Sequence, residues 1–134
     1  VNDDRLLLLG QTAEDLPAIS ALLQDATLRL PDIAFDRRAR RLVFLVNRYR
    51  WEVSAPSRVR SALRIETVTA VQRQNWPHAP DVMLDLLNLS VDGDWLVLTF
   101  AAGAALRAQC EVLEVVLEDI AAPWPTQHVP HHPG

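Results

Sequence analysis

The segment Arg58-Val-Arg-Ser-Ala-Leu-Arg-Ile-Glu66, continued by Thr67-Val-Thr-Ala-Val-Gln72, decides the fold class. Val59, Leu63, Ile65 and Val71 point one way, while Arg58, Arg60, Arg64 and Glu66 point the other. Side chains alternate across a strand but recur every 3.6 residues on a helix, so this spacing predicts a strand with one wet face. The neighbouring segments carry the same period. Arg41 to Trp51 reads as a long strand with an apolar mid-section from Leu42 to Val46, and Asp36 to Arg40 is a polar turn before it. Thr27 to Leu30 and Ile33 to Phe35 are shorter strand pieces, separated by Pro31, which belongs at an edge or a bulge.

Downstream, Asn75 to Pro80 holds two prolines and must be a loop. Val82 to Val91 and Trp95 to Phe100 flank Asp92-Gly93, a tight-turn signal that makes them a hairpin, and Ala104 to Ala108 follows as another strand. Two helices are expected. The first follows a strand at Arg5 to Leu9 and runs to about Asp25, with Leu16, Ile19, Leu22 and Leu23 on one face. Asp15 is its better cap, because Pro17 then falls in the first turn, where a missing N–H costs nothing. The second is an amphipathic helix over Glu111 to Ile120, with Val112, Val116 and Ile120 sharing a face. Hairpin-linked strands make the sheet antiparallel and the class α+β. The expected architecture is a strongly bent sheet or split barrel of about seven strands, with a helix after strand 1 and a C-terminal helix, pleckstrin-homology-like by analogy of fold. Residues 1–121 form a single domain, and 122–134 a tail rich in proline and histidine.

Charge is distributed unevenly. All 13 basic residues are arginine, and nine lie between Arg37 and Arg64, where Glu52 is the only acid. That stretch carries +8 and leaves −12 for the rest, a polarisation that the net charge of −4 conceals. No apolar run approaches the ~18 residues of a membrane span, and a lone cysteine, Cys110, favours a reducing compartment. The chain reads as soluble and cytoplasmic, with no membrane partner.

The residues Leu98-Thr-Phe-Ala-Ala-Gly103, Leu106-Arg107, Glu111, Leu117-Glu-Asp119 and the tail from Pro123-Trp124 through Pro130-His131 resemble a bacterial family known only as domain of unknown function 2948. Leu23-Gln-Asp-Ala26, Asn47-Arg48 and Trp51-Glu52 are similar to the same family. The resemblance covers nearly the whole chain and implies a single-domain protein, but it carries no activity, ligand or residue role. Ala102 stands where the resemblance leads one to expect glycine.

The arginines are the candidate binding residues: Arg37, Arg38, Arg40 and Arg41 at the turn, Arg48 and Arg50 on one strand, Arg58, Arg60 and Arg64 on the next. With aromatic rings nearby they suit an acidic protein partner, a second copy of the chain or, as an alternative, RNA or single-stranded nucleic acid. Internal pairing with the acidic remainder is the competing reading, and a pI near 5.5 argues against a dedicated nucleic-acid binder. Trp76 and Trp124, each beside a proline in a presumed loop, are candidate interface anchors. No catalytic, cofactor or metal motif accompanies them. The tail residues His128, His131 and His132 lack the rigid set of four ligands that a structural zinc needs. Cys110 reads as a core residue. An enzyme would require His78, Cys110 and the tail histidines to converge on one pocket. The expectation is a small, non-catalytic interaction module.

Overall fold

The computed structural model describes residues 5–130. Among them lie eleven strands and one α-helix: β1 Leu7–Gly10, α1 Leu16–Leu23, β2 Ala26–Arg29, β3 Ile33–Asp36, β4 Arg41–Tyr49, β5 Ser57–Ile65, β6 Val68–Gln74, β7 Met83–Asp92, β8 Trp95–Phe100, β9 Ala105–Cys110, β10 Val115–Asp119 and β11 Trp124–Pro125. All pairings are antiparallel. They form one open sheet in the order β1-β10-β5-β4-β2-β7-β8-β9-β6, with β3 added to β4 and β11 to β5.

This corrects the expected architecture. Among the described residues the sheet has eleven strands rather than about seven, it is open rather than pleckstrin-homology-like, and no C-terminal helix closes it. The expected helix over Glu111 to Ile120 is instead an irregular segment followed by strand β10, in which Val115, Leu117 and Asp119 are buried and Val116 and Glu118 are half-exposed. The apolar spacing there fits both periods, and tertiary pairing between β1 and β5 selects the extended one. The adjacent β-branched pair Val115-Val116 also favours the pleated surface. The segment 59–72 is divided at Glu66-Thr67, where Thr67 takes a positive φ of 54° and the chain turns from β5 into β6.

Other elements follow the local chemistry. Helix α1 begins with Asp15 at its cap and Pro17 in the first turn, and it buries Leu16, Ile19 and Leu23. Ser20 fixes it to β7, accepting the Leu89 N–H at 3.0 Å and donating to Asn88 Oδ1 at 3.0 Å. The β7–β8 hairpin turns at Gly93, whose φ of +64° suits glycine. Gly10, where β1 meets α1, is closely packed: a Cβ there would lie 2.9 Å from Ile19 Cδ1, so the end of that buried side chain would have to shift.

The sheet coils around one core. Leu42, Phe44 and Val46 of β4, Leu63 and Ile65 of β5 and Leu117 of β10 share a cluster with Leu86 of β7, Leu98 and Phe100 of β8 and Leu106 of β9. Each such side chain, fully withdrawn from water, contributes about 1.5–3 kcal/mol. The two halves of the sheet meet along β2, which reaches β4 only through the pair Thr27 and Asn47. On the opposite side, β6 touches the first half at its start, where the Val68 N–H donates to Arg40 O at 2.8 Å. Beyond that bond, β3 and β6 stay apart and leave a cleft.

Candidate interaction surface

Most of the arginine cluster is committed inside the fold. Arg40 pairs with Glu111, Arg41 with Glu66, Arg60 with Asp32 and Arg64 with Glu118. Arg58 donates to the carbonyl oxygens of Asn47 at 2.9 Å and Asp25 at 3.2 Å and lies over the Tyr49 ring, while Arg50 donates to Ser57 Oγ at 3.3 Å. Arg37 covers the Phe35 ring with its guanidinium carbon 5.5 Å from the centroid, and Arg38 is exposed on the β3–β4 turn.

Arg48 is a separate case. It continues the inward row Leu42, Phe44, Val46 of β4, and its side chain is 0% exposed. Its Nε and Nη2 each donate to Asp119 at 2.9 Å, and Nη1 and Nη2 reach Glu52 at 2.9 and 2.7 Å. Asp119 also accepts from Ser61 Oγ at 2.7 Å and from the Leu6 N–H at 3.0 Å. Burial pushes the Asp119 carboxyl up, but the bonds from Arg48, Leu6 and Ser61 outweigh it and hold the pKa below the usual carboxylate range. These bonds tie β4, β5 and β10 to one another and to Leu6, the residue that precedes β1. Sequence periodicity held the signal, since position 48 falls in the buried phase of β4.

The outer face of the same strands is unusual. Register places Leu9, Val116, Arg64, Val43 and Ala34 in one row across β1, β10, β5, β4 and β3. The next row is Leu7, Glu118, Ala62 and Leu45. A solvent face of an antiparallel sheet normally alternates to polar residues. Here seven of these nine positions are apolar, and at the β1 edge Leu7 and Leu9 are 63% and 53% exposed. Arg64 and Glu118 are the polar exceptions, 3.8 Å apart, and the buried Arg64 Nε has no hydrogen-bond partner among the described residues. Arg58 and Arg60 extend the face along β5, and Trp124 of β11, paired with Arg58 and 39% exposed, lies at its far end. The structure thus brings Arg58, Arg60, Arg64 and Trp124 onto one surface.

Trp76 is elsewhere. It packs edge-on against Phe100, with centroids 5.5 Å apart, and lines the cleft between β3 and β6 together with Arg37 and His78. Cys110 is buried at the end of β9, where burial and then Asp94 push its thiol up to about 11, so it is no nucleophile near neutrality. His78 and Cys110 do not line a common pocket. His128 is exposed, and His131 and His132 lie outside the described residues. No group of histidine, cysteine and carboxylate side chains among the described residues could hold a metal, and no helix among them is long and apolar enough to cross a membrane.

No curated protein and no solved structure matches the chain. A family match does cover residues 6–132, nearly the full length, in agreement with the resemblance read from the 98–107 and 117–131 motifs: the chain belongs to the family described as Protein of unknown function (DUF2948).

Proposed function

We propose that this protein is a small interaction module that associates through the outer face of β1, β10, β5 and β4, with a second copy of itself as the partner. The observation that supports the reading is the pair of largely apolar rows, Leu9-Val116-Arg64-Val43 and Leu7-Glu118-Ala62-Leu45, exposed at Leu7 and Leu9 and half-buried at Val43, Leu45 and Val116. Exposed leucines at a sheet edge that continue into a partly exposed apolar face are the kind of surface that marks a contact site. Its two charges are of opposite sign, so a two-fold arrangement can set Arg64 of one copy against Glu118 of the other. Trp124 and the arginines of β5 give such a face the aromatic and guanidinium groups that dominate binding energy at protein interfaces. An acidic protein partner would use the same face. Of the six cluster arginines outside β5, Arg40, Arg41 and Arg48 are ion-paired with Asp or Glu of the chain itself, which leaves fewer guanidiniums for phosphates and favours a protein partner over a nucleic acid.

Sedimentation equilibrium tests this. The wild-type chain should dimerise at roughly micromolar concentrations, and Leu7→Glu with Leu9→Glu should leave a folded monomer. Arg64→Glu should weaken the dimer, and Arg64→Glu combined with Glu118→Arg should restore part of it. A chain that stays monomeric to about 1 mM removes self-association, and capture of an acidic protein that the leucine substitutions do not weaken removes the face altogether.

A further inference from the structure

We infer that the cleft between β3 and β6 is a second binding site, one that takes an extended acidic segment of a partner protein as an added strand. The cleft holds about 800 Å³. Its walls come from alternate residues of two strands, Ile33, Phe35 and Arg37 on one side and Val71, Arg73 and Asn75 on the other. Such period-two lining means that both strands run along the cleft rather than across it. Among the described residues strand β3 pairs only with β4, and β6 only with β9, so each has an edge that no described strand covers. Apart from the Val68-to-Arg40 bond at one end, nothing among the described residues satisfies the backbone groups on those two edges together. A peptide laid between them would add main-chain hydrogen bonds to one edge or both, the mode by which exposed sheet edges capture extended ligands.

The chemistry of the walls selects the occupant. Leu42 and Leu106 form an apolar floor beside Trp76, which suits every second side chain of an added strand. Arg37 and Arg73 stand above it, neither with a carboxylate partner among the described residues, and no Asp or Glu lines the cleft. Five of the nine arginines between 37 and 64 are ion-paired within the chain, so the absence of acids here distinguishes this site. Two guanidiniums flanking an apolar trough complement a segment that alternates apolar residues with Asp or Glu. The site is separate from the proposed dimer face, since that face uses β1, β10, β5 and β4 while the cleft lies between the edges of β3 and β6.

The test uses the intact chain and an array of synthetic octapeptides that alternate glutamate with leucine, valine or phenylalanine. A matched array carries lysine for glutamate, and a third carries N-methyl groups on alternate backbone nitrogens. Binding is read by Trp fluorescence and by hydrogen exchange. The glutamate peptides should bind, the lysine series should bind at least about tenfold more weakly, and N-methylation in at least one register should cost a similar factor. Amides of 33–36 and 70–74 should exchange more slowly in the complex, and Arg37→Ala with Arg73→Ala should abolish binding while the thermal midpoint stays unchanged. Absence of binding across the glutamate array, equal binding of the lysine series, indifference to N-methylation in both registers, or tighter binding of dodecanoate than of any peptide would overturn the proposal. None of these outcomes bears on dimerisation through the outer face.

Discussion

Replacing Asp119 by Asn should be among the most damaging isosteric changes available in this chain. The carboxylate accepts four hydrogen bonds, two from Arg48 and one each from Ser61 and Leu6. An amide keeps one oxygen but turns its NH₂ toward a guanidinium that can only donate. Arg48, with no exposed side-chain surface, would then rely on Glu52, which is about one-third exposed. Stranding one partner of a buried pair costs about 3–5 kcal/mol. At about 2.1 cal/mol/K per residue, a 134-residue chain loses roughly 3.5 °C for each kcal/mol, so the midpoint should fall by about 10–17 °C. Urea denaturation followed by tryptophan fluorescence gives the free energy directly. The pH profile adds an independent check. Asp119 and Glu52 have lowered pKa values in the folded state, so their stabilisation is present above the ordinary carboxylate range near 4 and is lost as pH falls through the folded values. The wild type should therefore lose stability below about pH 4 more steeply than the Asp119→Asn variant does. A loss under about 1 kcal/mol at pH 7, with parallel acid profiles, would refute the assignment of this group as the fastening of the sheet.

Ala102 holds a left-handed backbone, φ 65° and ψ 24°, where a Cβ costs about 1–2 kcal/mol, and Ala102→Gly should stabilise the chain by about 0.5–1 kcal/mol after the entropy of glycine is subtracted, measured as a raised urea midpoint. Gly10→Ala should do the reverse, since the new methyl meets Ile19 at 2.9 Å, and a loss of about 1–3 kcal/mol in thermal melts is expected. Cys110, buried and with its thiol pushed up to about 11, should resist a thiol-specific disulfide reagent at pH 8 and react only at the rate of unfolding; rapid labelling of the native chain would contradict its placement.

Period-two patterning was legible wherever one face was wet. It located β5 and the face shared by Arg58, Arg60 and Arg64, while the Asp92-Gly93 turn signal placed the β7–β8 hairpin. It failed at β10 because Val112, Val116 and Ile120 satisfy a helical stripe as readily as a strand; the element's state depends on β1 and β5, which lie far away in sequence. Asp119 offered a clue, for a carboxylate in the buried phase of a strand needs a cation, and Arg48 occupies the matching phase of β4. The outer face was hidden for a different reason. Leu7, Leu9, Val43, Leu45 and Val116 are scattered over three strands, and only the register assembles them. Internal pairing of the arginines was weighed from composition, but which arginine meets which acid is a property of the sheet order alone.

The position of β10 also dictates the order in which this protein can be built. Among the described residues β1 pairs with β10 alone, and one edge of β5 waits for β10 and β11. The Leu6 N–H and Asp119 are 113 residues apart in sequence. While the ribosome is still making the chain, the leucines of β1 and the open edge of β5 are exposed together, and the pairing that covers them carries a large loop-closure entropy. Completion of the first half of the sheet therefore waits for the synthesis of residues 115–119, and a nascent chain that pauses before residue 115 presents an unfinished, apolar edge prone to aggregation.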